Sequence, residues 1–146
     1  MATRAQLHGM LSLSLISVAT VIAAVVMFQV SWTLGAAYLG ACVVALLGIV
    51  YTYCAKCSCR AHCGHVMPGR VAMLFKRRTP GPYTKVELGV LGLALLLLLG
   101  LPQGWLWQRP TLFVAYWLLT AIALVEIRVV VCRVCDNRYC PARIRC

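Results

Sequence analysis

Acidic side chains are almost missing from this chain. Only three of its 146 residues are Asp or Glu, against fourteen Lys and Arg, for a formal net charge of +11. Charged residues make up 12% of the sequence, about half the share usual in soluble domains. So few charges cannot clothe a soluble surface. No paired-carboxylate signature, Ser-His-Asp set or glycine-rich phosphate loop occurs, so hydrolase and kinase chemistry is set aside. Histidine is scarce too: His8, His62 and His65 lie outside the apolar runs. The C-x-x-C-H attachment motif does not occur, because Ser58 follows Cys57 and Asp136 follows Cys135. Haem is therefore not an expected cofactor.

What fills the chain is hydrocarbon: 62% of it is hydrophobic. Four apolar runs cover about residues 10–30, 35–53, 86–101 and 111–131. At a rise of about 1.5 Å per residue, about 20 residues cross a bilayer core. The first, second and fourth runs reach that length. The third is short, and must continue past Pro102, thin the bilayer or sit offset. The first run exceeds the apolar segment of a signal peptide and has no small-x-small cleavage site, so a retained helix is expected. The expected fold class is an all-α membrane protein. It is a four-transmembrane-helix bundle forming one integral membrane domain over residues 1–146, with a Cys-rich loop at 54–69 and a Cys-rich tail at 132–146.

The basic residues set an orientation. The connections at 31–34 and 102–110 carry Trp32, Trp105 and Trp107, as an aromatic belt would. Arg109 is the one Lys or Arg on that side. All the others fall in the amino-terminal segment (Arg4), the middle loop (Lys56, Arg60, Arg70, Lys76, Arg77, Arg78, Lys85) or the tail (Arg128, Arg133, Arg138, Arg143, Arg145). The positive-inside rule puts both termini and the middle loop in the cytoplasm, with the chain in an inner membrane or its equivalent. Anionic lipid headgroups then account for the positive charge, and no nucleic-acid partner is expected. The stretch from Val66 to Lys85 reads as an interfacial loop hugging lipid. With no soluble module, the chain is expected to work with other membrane subunits or a second copy of itself.

Nine cysteines interrupt this picture, eight of them in two clusters. The first holds Cys54, Cys57, Cys59 and Cys63, interleaved with His62 and His65; the second holds Cys132, Cys135, Cys140 and Cys146. Cys42 lies alone inside a run, as a small packing residue. The spacing Cys54-x2-Cys57-x5-Cys63 matches Cys132-x2-Cys135-x4-Cys140. Pro68 and Arg70 follow the first set, and Pro141 and Arg143 the second. Two helix-hairpin repeats running in the same direction would be related by an axis along the membrane normal, which brings the clusters face to face. The alternative is a chance likeness between two Cys-rich helix ends.

A reducing face argues against a disulfide framework and for metal-binding or catalytic thiols. Each C-x2-C turn can point two sulfurs at one ion, and two turns supply the four thiolates of a zinc site or an iron–sulfur cluster. The expected ligands are Cys54, Cys57, Cys63, Cys132, Cys135 and Cys140, with Cys54, Cys57, Cys132 and Cys135 as a shared core. Cys59, His62, His65 and Cys146 are further candidates. Glu126 precedes Cys132 by six residues, about 9 Å along a helix. An ionisable group at that depth needs a partner, here the region of Glu87 or the thiol centre, for proton movement or ligand support. A structural interhelical hydrogen bond is the plainer account of Glu126.

Three readings follow. Cys140-Pro141 resembles the Cys-Pro ending of bacterial ferredoxin runs, and the Cys-Pro loops of membrane-bound polyferredoxin-type quinol dehydrogenases, although C-x2-C-x4-C-P is not their spacing. That resemblance implies an iron–sulfur centre and electron transfer within a membrane redox complex. The second reading is a zinc ion stapling the two halves. The third is thiol–disulfide chemistry, since the four-helix plan resembles vitamin K epoxide reductase-like and disulfide-generating membrane proteins, which act on the oxidising side. Soft-metal carriage and lipidated cysteines complete the field.

Overall fold

Thr3 opens the first helix with a capping box: its hydroxyl accepts from the Gln6 amide and the Gln6 side chain accepts from the Thr3 amide. A computed structural model describes the chain over residues 3–76, 78–133, 135 and 137–140. Helix α1 (Arg4–Val30) runs 27 residues and stops at Ser31, whose extended backbone is the whole connection to α2 (Trp32–Ile49). The four-residue link expected from sequence is thus one residue. Phe28 and Trp32 meet edge-on with centroids 5.0 Å apart, and the Phe28 ring lies where any side chain at Gly35 would have to go. A larger residue at Gly35 would force this hairpin apart.

Beyond α2 the helix widens into a π turn (Val50–Cys54), and the chain passes through the first cysteine loop to α3 (Val66–Leu74). The interfacial segment is therefore partly helical. A second capping box, Thr84 with Glu87, starts α4 (Lys85–Leu95). A π turn (Leu96–Gly100) carries the helix across Pro102 into the short α5 (Gln103–Leu106). The third span therefore covers Lys85–Leu106, 22 residues, which resolves its apparent shortness. Helix α6 begins with Pro110 at its first turn, where a missing N–H is tolerated. It runs to Glu126 and ends in a π turn (Ile127–Val131). The four spans Arg4–Val30, Trp32–Cys54, Lys85–Leu106 and Pro110–Val131 are each long and apolar enough to cross a membrane. No strand occurs among the described residues.

Helix α1 is the centre of the packing, against α2 on one side and α6 on the other, while α4 packs on the far side of α2. Its contact face is small, with Ala19, Ala23 and Ala24 buried beside Val26 and Met27. Small residues let helix backbones approach where lipid removes any hydrophobic drive between helices. Most of the remaining apolar surface, including Val44, Leu96 and Leu118, faces outward, as lipid contact requires.

One polar knot holds three spans together. Pro102 has no N–H for the carbonyl four residues before it, so the Leu98 carbonyl is left without its α-helical partner. The hydroxyls of Tyr38 from α2 and Tyr116 from α6 both donate to that oxygen, each at 3.2 Å. Both tyrosines are 1% exposed. Unsatisfied backbone is costly in hydrocarbon, and the two buried tyrosines supply the donors that this proline removes.

Candidate functional site

Both cysteine loops begin with a π turn, offset by one residue: Cys54 is the last residue of its turn, whereas Cys132 follows its own. After each π turn an i→i+5 hydrogen bond closes at 2.8 Å, Ala55 to Val50 in one and Cys132 to Ile127 in the other. The following C-x2-C is then closed by an amide bond to the first cysteine's carbonyl, Cys57 to Cys54 at 3.1 Å and Cys135 to Cys132 at 3.4 Å. π turns are rare and concentrate at functional sites. This repetition was not visible in the spacing of the cysteines alone.

The fold brings the two loops into contact at one end of the bundle. Buried Asn137 donates through Nδ2 to the Cys57 thiol at 3.3 Å and to the Tyr83 hydroxyl at 3.2 Å. The Tyr53 hydroxyl and the Cys140 thiol are 2.9 Å apart. Tyr53 and Tyr83 stack with centroids 4.4 Å apart, and the Tyr83 hydroxyl donates to the Tyr53 carbonyl. An aromatic pair thus braces Cys140 and Asn137 against the first loop.

The thiols influence one another across the loops. Cys135 acts as donor toward Cys57, which holds the Cys57 pKa below its ordinary value and raises that of Cys135. Burial pushes Cys63 up, and pushes Cys132 up to about 11, with neighbouring thiolates adding to both shifts. Cys63 feels Cys135, Cys59 and Cys140, and Cys54 feels Cys63. Cys54, Cys57, Cys59 and Cys63 of the first loop and Cys132, Cys135 and Cys140 of the tail thus lie at the end of the bundle where the two segments meet. All seven are free thiols. Among the described residues, no three His, Cys, Asp or Glu side chains converge as a metal site. The arrangement among the described residues is one of neighbouring thiols.

The remaining candidates are placed differently. His65 Nδ1 faces the Gly9 carbonyl at 3.4 Å, and burial lowers its pKa. Gly9 itself is pressed against the Gly64 carbonyl, so a side chain there would collide with loop backbone. Glu126 lies 3.5 Å from His8 Nδ1, not beside Glu87. This is an α6-to-α1 pairing, because α1 and α6 pack along each other. Glu87 is 5% exposed and accepts from Lys56 Nζ at 2.9 Å and the Thr84 amide at 2.7 Å, with Arg78 Nη2 at 2.7 Å from its other oxygen. Lys56 also donates to the Pro82 carbonyl, so Glu87 anchors the first C-x2-C turn to the start of α4. Cys42 is buried in the core near Tyr38. Asp136, Cys146 and the side chain of His62 lie outside the described residues. Sequence reasoning missed Asn137, Tyr53 and Tyr83. Their only signal was position, within a few residues of a cysteine or at the turn into the third span.

No known protein family, curated protein or solved structure matches the chain.

Proposed function

We propose that this chain is a small integral membrane protein holding a cysteine-ligated metal centre at the cytoplasmic face. The favoured centre is an iron–sulfur cluster that passes electrons within a larger membrane redox complex. The supporting observation is the meeting of the two loops, where Asn137 of the tail donates to Cys57 and Cys140 of the tail meets Tyr53 beside Cys54. Cys54, Cys57, Cys132 and Cys135 would hold the centre, with Cys63 and Cys140 next. When bound, the cluster would supply one-electron redox chemistry. The chain's own part is to present soft donors, exclude water with Tyr53 and Tyr83, and donate to sulfur through Asn137. Zinc in the same ligands, as a staple, is the structural version of this reading.

The repeat belongs to this proposal. A two-fold along the membrane normal exchanges α1 with α4 and α2 with α6, and so relates the α1–α6 contact to the α2–α4 contact, both of which occur. It also relates the two C-x2-C turns, while their π turns match with a one-residue offset. The hairpins differ in that α2 packs along α1, whereas α4 and α6 are not in comparable contact. Thirteen flanking cations remain the argument for a cytoplasmic thiol end, all Lys and Arg but Arg109.

A second reading rests on the Cys57–Cys135 pair. Joining these sulfurs in a disulfide would release two electrons and two protons to a membrane acceptor of the quinone class. A depressed Cys57 pKa beside a protonated partner suits such exchange.

Anaerobic purification followed by iron, zinc and acid-labile sulfide analysis, with optical spectra, separates the readings. Iron with sulfide supports the cluster, and zinc alone supports the staple. No metal, with Cys57 and Cys135 joined on oxidation, supports the dithiol. Cys135→Ser should remove metal that the first loop also binds. Loss of part of the metal with an unchanged first-loop spectrum means separate centres, and the shared site is wrong.

A further inference from the structure

A second site lies on the same end of the bundle and uses no cysteine chemistry. A cavity of about 140 Å³ opens between the start of α1, the loop after Cys59 and the first turns of α3. Water occupies about 30 Å³ per molecule in the liquid, so the space admits a group the size of a phosphate. Its lining includes Gln6, Arg60, Cys63, Val66, Arg70 and Met73. Two guanidinium-bearing residues and Gln6 therefore line one small cavity.

Nothing described neutralises them. Arg60 Nη1 is buried and has no hydrogen-bond partner among the described residues. A buried unpaired charged donor is among the costliest groups to leave unsatisfied. Glu87 is taken by Lys56 and Arg78, and Glu126 faces His8; neither lines the cavity. A close backbone approach sets the loop that carries Arg60 against α3, which carries Arg70. A side chain at Gly69 would meet the Arg60 carbonyl at 2.7 Å, so α3 presses directly on the loop that carries Arg60.

We propose that Arg60 and Arg70, with Gln6, form a binding site for a phosphate group. Paired guanidinium forks match phosphate oxygens in charge and geometry. The site stands at the level where α1 begins, the polar end of the first span. Its rim is apolar: Met73 is 50% exposed and the adjoining Leu74 84%. A phosphodiester headgroup with its acyl chains running past Met73 satisfies both halves of this lining. Free inorganic phosphate satisfies the polar half alone. Because Cys63 lines the cavity, the occupant lies against the thiol patch, yet the proposal does not depend on what the thiols bind.

The test uses the full chain purified in mild detergent. Phosphatidylglycerol and phosphatidylcholine are offered in mixed micelles, and retained lipid is counted by native mass spectrometry. Inorganic phosphate is titrated separately by calorimetry. Wild type should retain phosphatidylglycerol in preference to phosphatidylcholine, and Arg60→Gln should weaken that retention by at least about tenfold. Lys76→Gln, which removes a unit of charge from an exposed position outside the cavity, should leave it unchanged. If inorganic phosphate binds with the same dependence on Arg60 and no lipid is preferred, the phosphate site stands with the free anion as its source. Should Arg60→Gln not fold, Arg70→Gln decides on the same readout. Equal loss in Lys76→Gln and in the arginine variants would show only diffuse surface charge and would overturn the site.

Discussion

Asn137 donates to the thiol of Cys57 at 3.3 Å across 80 residues of sequence. Donation from Cys135, and then from the Cys59 backbone, holds the Cys57 pKa below its ordinary value, and the Asn137 amide offers the same sulfur a further donor. Cys132 and Cys63 are half-buried without that help, and the partial burial penalises their charged forms.

The order of reactivity follows from the sign of these shifts. Alkylation needs the thiolate, so on raising the pH of metal-free, reduced protein Cys57 should label before Cys63 and Cys132. Cys132, at about 11, should need much more alkaline solution. Asn137→Leu removes a donor to the Cys57 thiolate and should move its labelling curve to higher pH. Peptide mapping of iodoacetamide adducts across a pH series gives the curves. Cys132 reacting before Cys57 contradicts the assignment.

The Leu98 carbonyl predicts a non-additive pair. Tyr38→Phe or Tyr116→Phe alone leaves one hydroxyl on that oxygen and should cost about 0.6 kcal/mol, the usual worth of such bonds in membrane bundles. The double variant leaves the oxygen without either, and should add the cost of an unsatisfied buried acceptor, about 1–3 kcal/mol. Unfolding in detergent, analysed as a double-mutant cycle, measures the excess. Strict additivity would mean that another group satisfies Leu98.

Glu87→Gln should loosen the first loop as well as destabilise the helix start. It strands Lys56 and Arg78, and breaking a buried pair from one side costs about 3–5 kcal/mol. The lower end is expected here, because the Arg78 side chain is 36% exposed. Glu87→Gln with Lys56→Met removes both charges and should recover part of the loss. Cross-linking between Cys57 and Cys135 should fall in Glu87→Gln and return in the pair. Undiminished cross-linking in Glu87→Gln would show that the clamp does not position the loop.

Four spans and two thiol clusters could be read from residue order because they depend on local composition. A long run of apolar residues with no turn signal marks a helix by its own composition, and a C-x2-C turn closes on its own amides. Even the start of the third span was written locally, in Thr84 and Glu87 as a capping box. Other features depended on which helices touch, and no local pattern states that. The packing of α1 against α6 gave Glu126 its neighbour His8, not the Glu87 region. Pro102 announces an orphaned carbonyl, but only the approach of α2 and α6 shows that Tyr38 and Tyr116 answer it. The cavity between Arg60 and Arg70 exists because Gly69 lets α3 press on the loop backbone. Short-range backbone chemistry sets the elements of this chain, and contacts between residues far apart in sequence set the surroundings of its charged groups and its thiols.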